Sequence, residues 1–204
     1  MARTVSNHQQ RIMPKRQPSH PSERGFSLIE VMIAVVILNV GLLALIGTFA
    51  AALQSTRWSQ EDLIAKQKAL EALESVFTAR TTSQVTFAQI ANVSSGVQGA
   101  LFTDGYTQMW AAGADGLVGT TDDVPFAATP NCPGGAEVIQ LPGPDGILGN
   151  ADDTCMSLGN FSRQVLITPL SGNLKQVTVN VQYFRPGLRA PRVYTVQALM
   201  SSYR

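Results

Sequence analysis

The sequence predicts an α+β fold: a long N-terminal α-helix packed on a C-terminal antiparallel β-sheet of three to four strands, with long loops between. Three observations predict it. Residues 31–56 are 26 consecutive uncharged, mostly apolar positions. Helical periodicity then continues from Arg57 to Arg80, and after Arg163 three runs of alternating apolar and polar residues follow one another. A chain of 204 residues has room for one ordinary domain plus an extension, not for two sizeable cores.

The chain opens with a basic segment. Residues 1–25 hold Arg3, Arg11, Lys15, Arg16 and Arg24 against the single acid Glu23, and the remainder carries a net charge of −3. The rest of the protein therefore offers no basic surface of the kind that binds nucleic acid. Both histidines, His8 and His20, lie in the same segment. Once it is removed, no imidazole is left for acid–base work or metal ligation.

The apolar run comes next, and at ~1.5 Å per residue it spans a bilayer core of ~30 Å. The preceding basic residues keep the N-terminus cytoplasmic and send everything after Arg57 across the membrane. An ordinary secretory signal has a shorter apolar core of roughly 7–15 residues, with its cleavage site at the far end. A plain anchor accounts for the length but leaves the carboxylate of Glu30 at the apolar border without a partner.

Beyond the run, Leu63, Leu70, Leu73 and Phe77 form the expected apolar stripe, with Glu61, Lys68, Glu71 and Glu74 on other faces. Residues 26–80 are thus read as one helix of about 80 Å, with Gly41 and Gly47 as weak points. The domain organisation that follows is a segment 1–25, a membrane-competent helix 26–56, and an extracytoplasmic domain 57–204. That domain comprises the amphipathic half-helix 57–80, a loop region 81–162 and a β-meander 163–200.

Within the loops a short strand is expected near Tyr106–Ala112. Tyr106, Trp110 and Phe126 either contact a partner, as an adhesive or DNA-uptake surface would, or pack under the loops. The predicted meander strands are Gln164–Thr168, Gln176–Phe184 and Arg192–Met200, separated by Ser171-Gly172-Asn173 and by Pro186-Gly187. Val177, Val179, Val181 and Tyr183 alternate with Thr178, Asn180 and Gln182, which gives one apolar face.

An internal repeat occupies the loops. Residues 114–123, Ala-Asp-Gly-Leu-Val-Gly-Thr-Thr-Asp-Asp, match residues 144–153, Pro-Asp-Gly-Ile-Leu-Gly-Asn-Ala-Asp-Asp, thirty positions later. Two readings stand. Asp115, Asp122, Asp123, Asp145, Asp152 and Asp153 are candidate calcium ligands, because hard cations take oxygen-rich, glycine-bent loops. Alternatively, these are two tight Asp-Gly turns with solvated carboxylates. The spacing departs from the EF-hand, whose closing glutamate is absent. Cys132 and Cys155 are the only cysteines, and in an exported chain they are expected to form a disulfide enclosing the second copy. No cofactor is required by any other motif: no nucleophile elbow, phosphate loop or cysteine–histidine pair is found after residue 25.

One motif narrows the class. Gly25-Phe26-Ser27-Leu28-Ile29-Glu30-Val31, behind a basic leader and ahead of an apolar helix, resembles the type III signal of type IV prepilins and pseudopilins. The resemblance covers about 55 residues. It implies cleavage after Gly25 by a prepilin peptidase/methyltransferase, N-methylation of the new N-terminus at Phe26, and a non-enzymatic structural role in the type IV pilin fold. It also implies that Glu30 pairs with the Phe26 amine of a neighbouring subunit; the plain alternative is a carboxylate at headgroup level. The implied path runs from the inner membrane, through an inner-membrane assembly platform, to a pilus, the periplasm or the cell surface, with other pilins or pseudopilins as partners and no nucleic acid.

Val40-Gly41-Leu42-Leu43-Ala44-Leu45, followed by Ala65, Ala69 and Glu71, is most similar to PilV-type minor pilins. The expected function is accordingly a minor pilin of a type IV pilus or its initiating tip complex. A minor pseudopilin of type II secretion is the first alternative, and a membrane-anchored ligand-binding domain the second. The acidic Asp-Gly loops resemble those of some calcium-binding pseudopilins.

Overall fold

The computed structural model describes residues 25–185 and 189–203. The basic leader with His8 and His20, and the expected Pro186-Gly187 turn, lie outside the described residues. One helix, α1, spans Leu28–Thr81. It is followed by strands β1 (Thr107–Gln108), β2 (Val138–Leu141), β3 (Thr154–Ser157), β4 (Phe161–Ser171), β5 (Leu174–Tyr183) and β6 (Arg192–Ser201). Residues up to Ala50 form one compact unit and those from Ala51 a second.

In the first unit every described residue is exposed, including Leu28, Ile37, Leu43 and Phe49. The helix runs through Gly41 and Gly47 without a break. A glycine costs only about 1 kcal/mol relative to alanine, and the flanking Leu, Ile, Val and Ala residues hold the helical path.

In the second unit the rest of α1 packs on the sheet, but not by the expected stripe. Leu63 is 64% and Leu70 36% exposed, whereas Ile64, Ala65, Lys68, Ala69, Ala72, Val76 and Ala79 are buried. Leu73 and Phe77 flank that core, partly covered. The helix turns its alanines to the core, and the strand side chains Val165, Val177, Val179, Val181 and Tyr183 fill the space beside them. Lys68, expected on a face other than the apolar stripe, lies in the buried row because Glu137 and Glu71 bind its ammonium at 2.5 and 2.7 Å.

The main sheet is antiparallel, in the order β1-β4-β5-β6. Val177, Val179, Val181 and Tyr183 face the helix and are almost fully buried, as the alternation predicts. Each contributes about 1.5–3 kcal/mol by leaving water. Pro169 sits in β4 beyond the reach of β1, which pairs only with Ser162 and Arg163, so its missing N–H leaves no partner unserved. The two central strands join through Gly172-Asn173, with Ser171 opposite Leu174.

β2 and β3 form a separate two-stranded hairpin that the sequence did not announce. The expected strand near Tyr106–Ala112 shrinks to the two residues of β1. The loops are organised by single bridges, such as Phe102 to Thr120 and Ala111 to Val124, and by Asn92, which is buried. Its Nδ2 donates to the Val165 carbonyl at 2.8 Å and its Oδ1 accepts the Ile167 N–H at 2.7 Å.

Candidate functional site

At the N-terminal end, Gly25, Phe26 and Ser27 precede the helix in irregular conformation. The Ser27 carbonyl accepts the N–H groups of Glu30 and Val31 at 3.0 and 3.2 Å, which fixes where α1 begins. The Gly25–Phe26 peptide is therefore outside the helix, and among the described residues nothing lies within 4 Å of where a Cβ on Gly25 would stand. Phe26 is 83% exposed. Glu30 stands in the first helical turn, where a carboxylate suits the positive end of the helix dipole. Together with Phe26, Ala34 and Leu38 it borders one shallow apolar groove on the helix surface.

In the second unit, the helix is held through Arg185, just beyond β5, a residue the sequence analysis did not single out. Its guanidinium bonds Asp62 at 2.9 Å and Glu61 at 3.2 Å, donates to the Trp58 carbonyl and the Tyr183 hydroxyl, and lies over the Trp58 and Tyr183 rings. Tyr183 also donates to Asp62. Partial burial pushes the Asp62 carboxyl up, but the Tyr183 and Arg185 hydrogen bonds and the nearby positive charges outweigh it and hold it below the usual carboxylate range. Burial pulls the Lys68 ammonium down, and its two glutamates reverse that, leaving it above the usual lysine value. A distance of 124 residues separates Glu61 from Arg185, so no local pattern could have linked them.

The two loop copies share one conformation. Asp115 Oδ1 accepts the Leu117 N–H at 2.8 Å and Asp145 Oδ1 accepts the Ile147 N–H at 2.9 Å. Asp123 Oδ2 accepts the Gly119 N–H and Asp153 Oδ2 the Gly149 N–H, at 2.7 and 2.6 Å. Gly116 and Gly146 both have positive φ, 67° and 72°. A Cβ on Gly113 would strike Asp122, and one on Gly143 would strike Asp152. The repeat is thus structural down to individual hydrogen bonds.

The copies differ in what surrounds them. In the first, the Thr120 hydroxyl lies 2.7 Å from Asp122 and 3.2 Å from Asp123, with one proton shared between the two carboxylates, and the buried Arg163 lies 4.0 Å from Asp123. Burial dominates that long pair: it raises the Asp123 carboxyl despite the Gly119 N–H and Arg163, and it lowers the Arg163 guanidinium despite the surrounding acids. Asp115 is raised as well, by burial and then by the adjacent Asp122 carboxylate. The second copy is enclosed by the Cys132–Cys155 disulfide, as expected, with Cα atoms 5.3 Å apart. Asn131 Nδ2 ties it down by donating to the Asn150 carbonyl at 3.0 Å. Among the described residues no three acidic, histidine or cysteine side chains converge as a ready metal centre; Asp115, Asp122, Asp123, Asp145 and Asp153 accept backbone N–H groups within their turns. Of the loop aromatics, Tyr106 is 40% exposed, and Trp110 and Phe126 are half-buried.

Comparison with known proteins gives one match: the prokaryotic N-terminal methylation motif, over residues 20–46. No curated protein and no solved structure matches the chain significantly.

Proposed function

Starting from a chain that carries the N-terminal methylation motif and is thereby of type IV pilin-like kind, we propose that it is a minor pilin, built into a type IV pilus or its initiating tip complex. The observation that carries this reading is the motif set directly on a helix whose first half is apolar and wholly exposed. Apolar surface of that extent is stable only in a bilayer or against other helices, so the same segment serves as anchor before assembly and as packing surface after it.

In this reading the leader 1–25 is cut after Gly25 and the amine of Phe26 is methylated, which keeps its charge. The peptide to be cut lies outside the helix, which suits a protease that must bind it extended. Glu30 neutralises the Phe26 amine of a neighbouring subunit, removing an unpaired charge from a low-dielectric core. Residues 26–56 act as the filament-core helix and 57–204 as the displayed domain. The exposed Leu63 and Leu70 offer apolar surface to a neighbouring subunit. The prepilin peptidase/methyltransferase, an inner-membrane platform and other pilins are the partners. The role is architectural, not catalytic.

The test is intact mass and N-terminal sequence of the protein from its host's membranes, with and without prepilin peptidase. A peptidase-dependent product starting at Phe26 and heavier by one methyl group is expected. A chain that keeps its leader, or is cut beyond Thr56, overturns the reading. Deletion then separates pilus from secretion filament: loss of surface pili with secretion intact is the expected result, and the reverse assigns the chain to a secretion pseudopilus.

A further inference from the structure

We propose that the base of the displayed domain, with Arg57, Arg189 and Arg192 around Trp58, binds the headgroup phosphates of anionic phospholipids on the extracytoplasmic face of the membrane before assembly. The inference rests on the reading of residues 31–56 as the membrane-spanning segment. Arg57 and Trp58 follow directly on Thr56, the last residue of that apolar run. Trp58 is 37% exposed, and tryptophan at the end of a spanning helix belongs in the headgroup layer. The run is ~39 Å long, more than the ~30 Å hydrocarbon core, so interfacial anchors decide how the helix is seated.

The fold brings further arginines to the same level. Arg185 lies over the Trp58 ring and bonds Glu61, Asp62 and the Trp58 carbonyl, which fixes the chain just beyond β5 against the helix. Arg192, the first residue of β6, is half-exposed and lies 3.8 Å from Asp62. Arg189, three residues earlier, is exposed. Asp62 stands six residues past Thr56, ~9 Å along the helix axis, and helical side chains lean back toward the N-terminus, here toward the bilayer. The headgroup layer is about 5–7 Å deep on each side, so the arginines beside Asp62 stand at its upper boundary. Glu61 and Asp62 do not cancel the patch, because Arg185 engages both. Four arginines meet these two acids at the base, while the rest of residues 57–204 holds six basic and ten acidic residues. The domain is therefore polarised, with its base drawn to an anionic surface and the remainder repelled by it. Guanidinium groups suit phosphate because their fork of N–H donors matches its oxygens.

The experiment reads lipid enrichment at Trp58 itself. The full chain with Trp110→Phe, which leaves Trp58 as the only tryptophan, is reconstituted in phosphatidylcholine vesicles. These hold a small, equal fraction of phosphatidylglycerol or phosphatidylcholine brominated near the headgroup end of its acyl chains. Stronger quenching of Trp58 by the brominated phosphatidylglycerol is expected; the basic leader acts on the opposite face, out of reach of Trp58. Arg189→Gln combined with Arg192→Gln should lower the local excess roughly fivefold or more, since one arginine near such a surface is worth about that factor. Lys66→Gln, ~15 Å beyond Thr56 along the helix, should leave it unchanged. Should the double variant fail to fold, raised salt replaces it: screening must shrink the wild-type excess, and an excess indifferent to salt overturns the proposal. Equal quenching by the two lipids, or an excess that survives the double variant or is lost in Lys66→Gln, overturns it while the spanning segment stands. Quenching by neither lipid puts Trp58 away from the bilayer and overturns the spanning reading as well.

Discussion

The two loop copies have the same turns and opposite environments. In Gly113–Asp123 the residue after the Asp-Gly pair, Leu117, is 1% exposed and part of the core. In Gly143–Asp153 its counterpart Ile147 is 62% exposed, and the next residue, Leu148, is 57% exposed. Gly119 lies against the Val165 side chain of β4, whereas no heavy atom stands within 4 Å of a Cβ on Gly149. The hydrogen bonds of the turn are nevertheless conserved between copies, because they are made by residues within each loop. Turn geometry is thus a local property of Asp-Gly chemistry, and burial is imposed by what the fold brings alongside.

The largest break of that comparison is Leu117→Ala against Ile147→Ala. The first leaves a void in a close-packed core and should cost about 2–5 kcal/mol. The second removes surface already in water and should stay within about 0.5 kcal/mol. Denaturant titration of the full chain, followed by Trp58 and Trp110 fluorescence, checks both. Equal losses would mean that the second loop is covered by something its exposed apolar pair does not show.

The disulfide sharpens the comparison from the other side, since it closes only the second copy. Cys132→Ser with Cys155→Ser should cost about 3 kcal/mol by releasing the unfolded chain from a closed loop. Limited proteolysis of the double variant should cut first within residues 133–154 and leave the core-backed first copy intact. Early cleavage in 113–123 instead would show that the two loops fold as one unit.

How much of this could be read in the sequence follows the same division between local and distant causes. The helix, the three long strands, the repeat and the Cys132–Cys155 bond were legible, because each depends on periodicity, turn residues or a count within one stretch of chain. The buried face of α1 was not. Leu63 and Leu70 looked like the packing stripe, but alanines at 65, 69, 72 and 79 took that role, because the strands that cover the helix lie far along the chain and choose the face. The β2–β3 hairpin was missed because its strands are four residues each and lie on either side of the acidic loop. Asn92 and Arg185 were missed because the partners that tie them to other elements, Val165 and Trp58, are 73 and 127 residues away. At the candidate sites, the glycine, phenylalanine and glutamate of the N-terminal motif were identifiable by type and spacing. The asymmetry of the aspartates was invisible, for it rests on where Arg163 of β4 lies.

The smallest effect expected is a pH dependence confined to the buried copy. Asp115 has a raised carboxyl pKa in the folded protein, through burial first and the neighbouring Asp122 carboxylate after it. A raised acid holds its proton more tightly folded than unfolded, so it favours the native state below the unfolded value of about 3.9 and loses that contribution as pH rises through its folded value. Asp62, held low by Tyr183 and Arg185, acts in the opposite sense: its contribution is present above the unfolded value and is lost as pH falls through the folded one. Asp115→Asn keeps an acceptor for the Leu117 N–H and removes the titration. The variant should therefore gain stability relative to wild type at neutral pH, and the gap should close as the solution is acidified toward pH about 4. Denaturant midpoints across that window measure it. A gap that widens on acidification would mean that Asp115 is held as a carboxylate by its turn, and that burial of the first copy stops short of its charges.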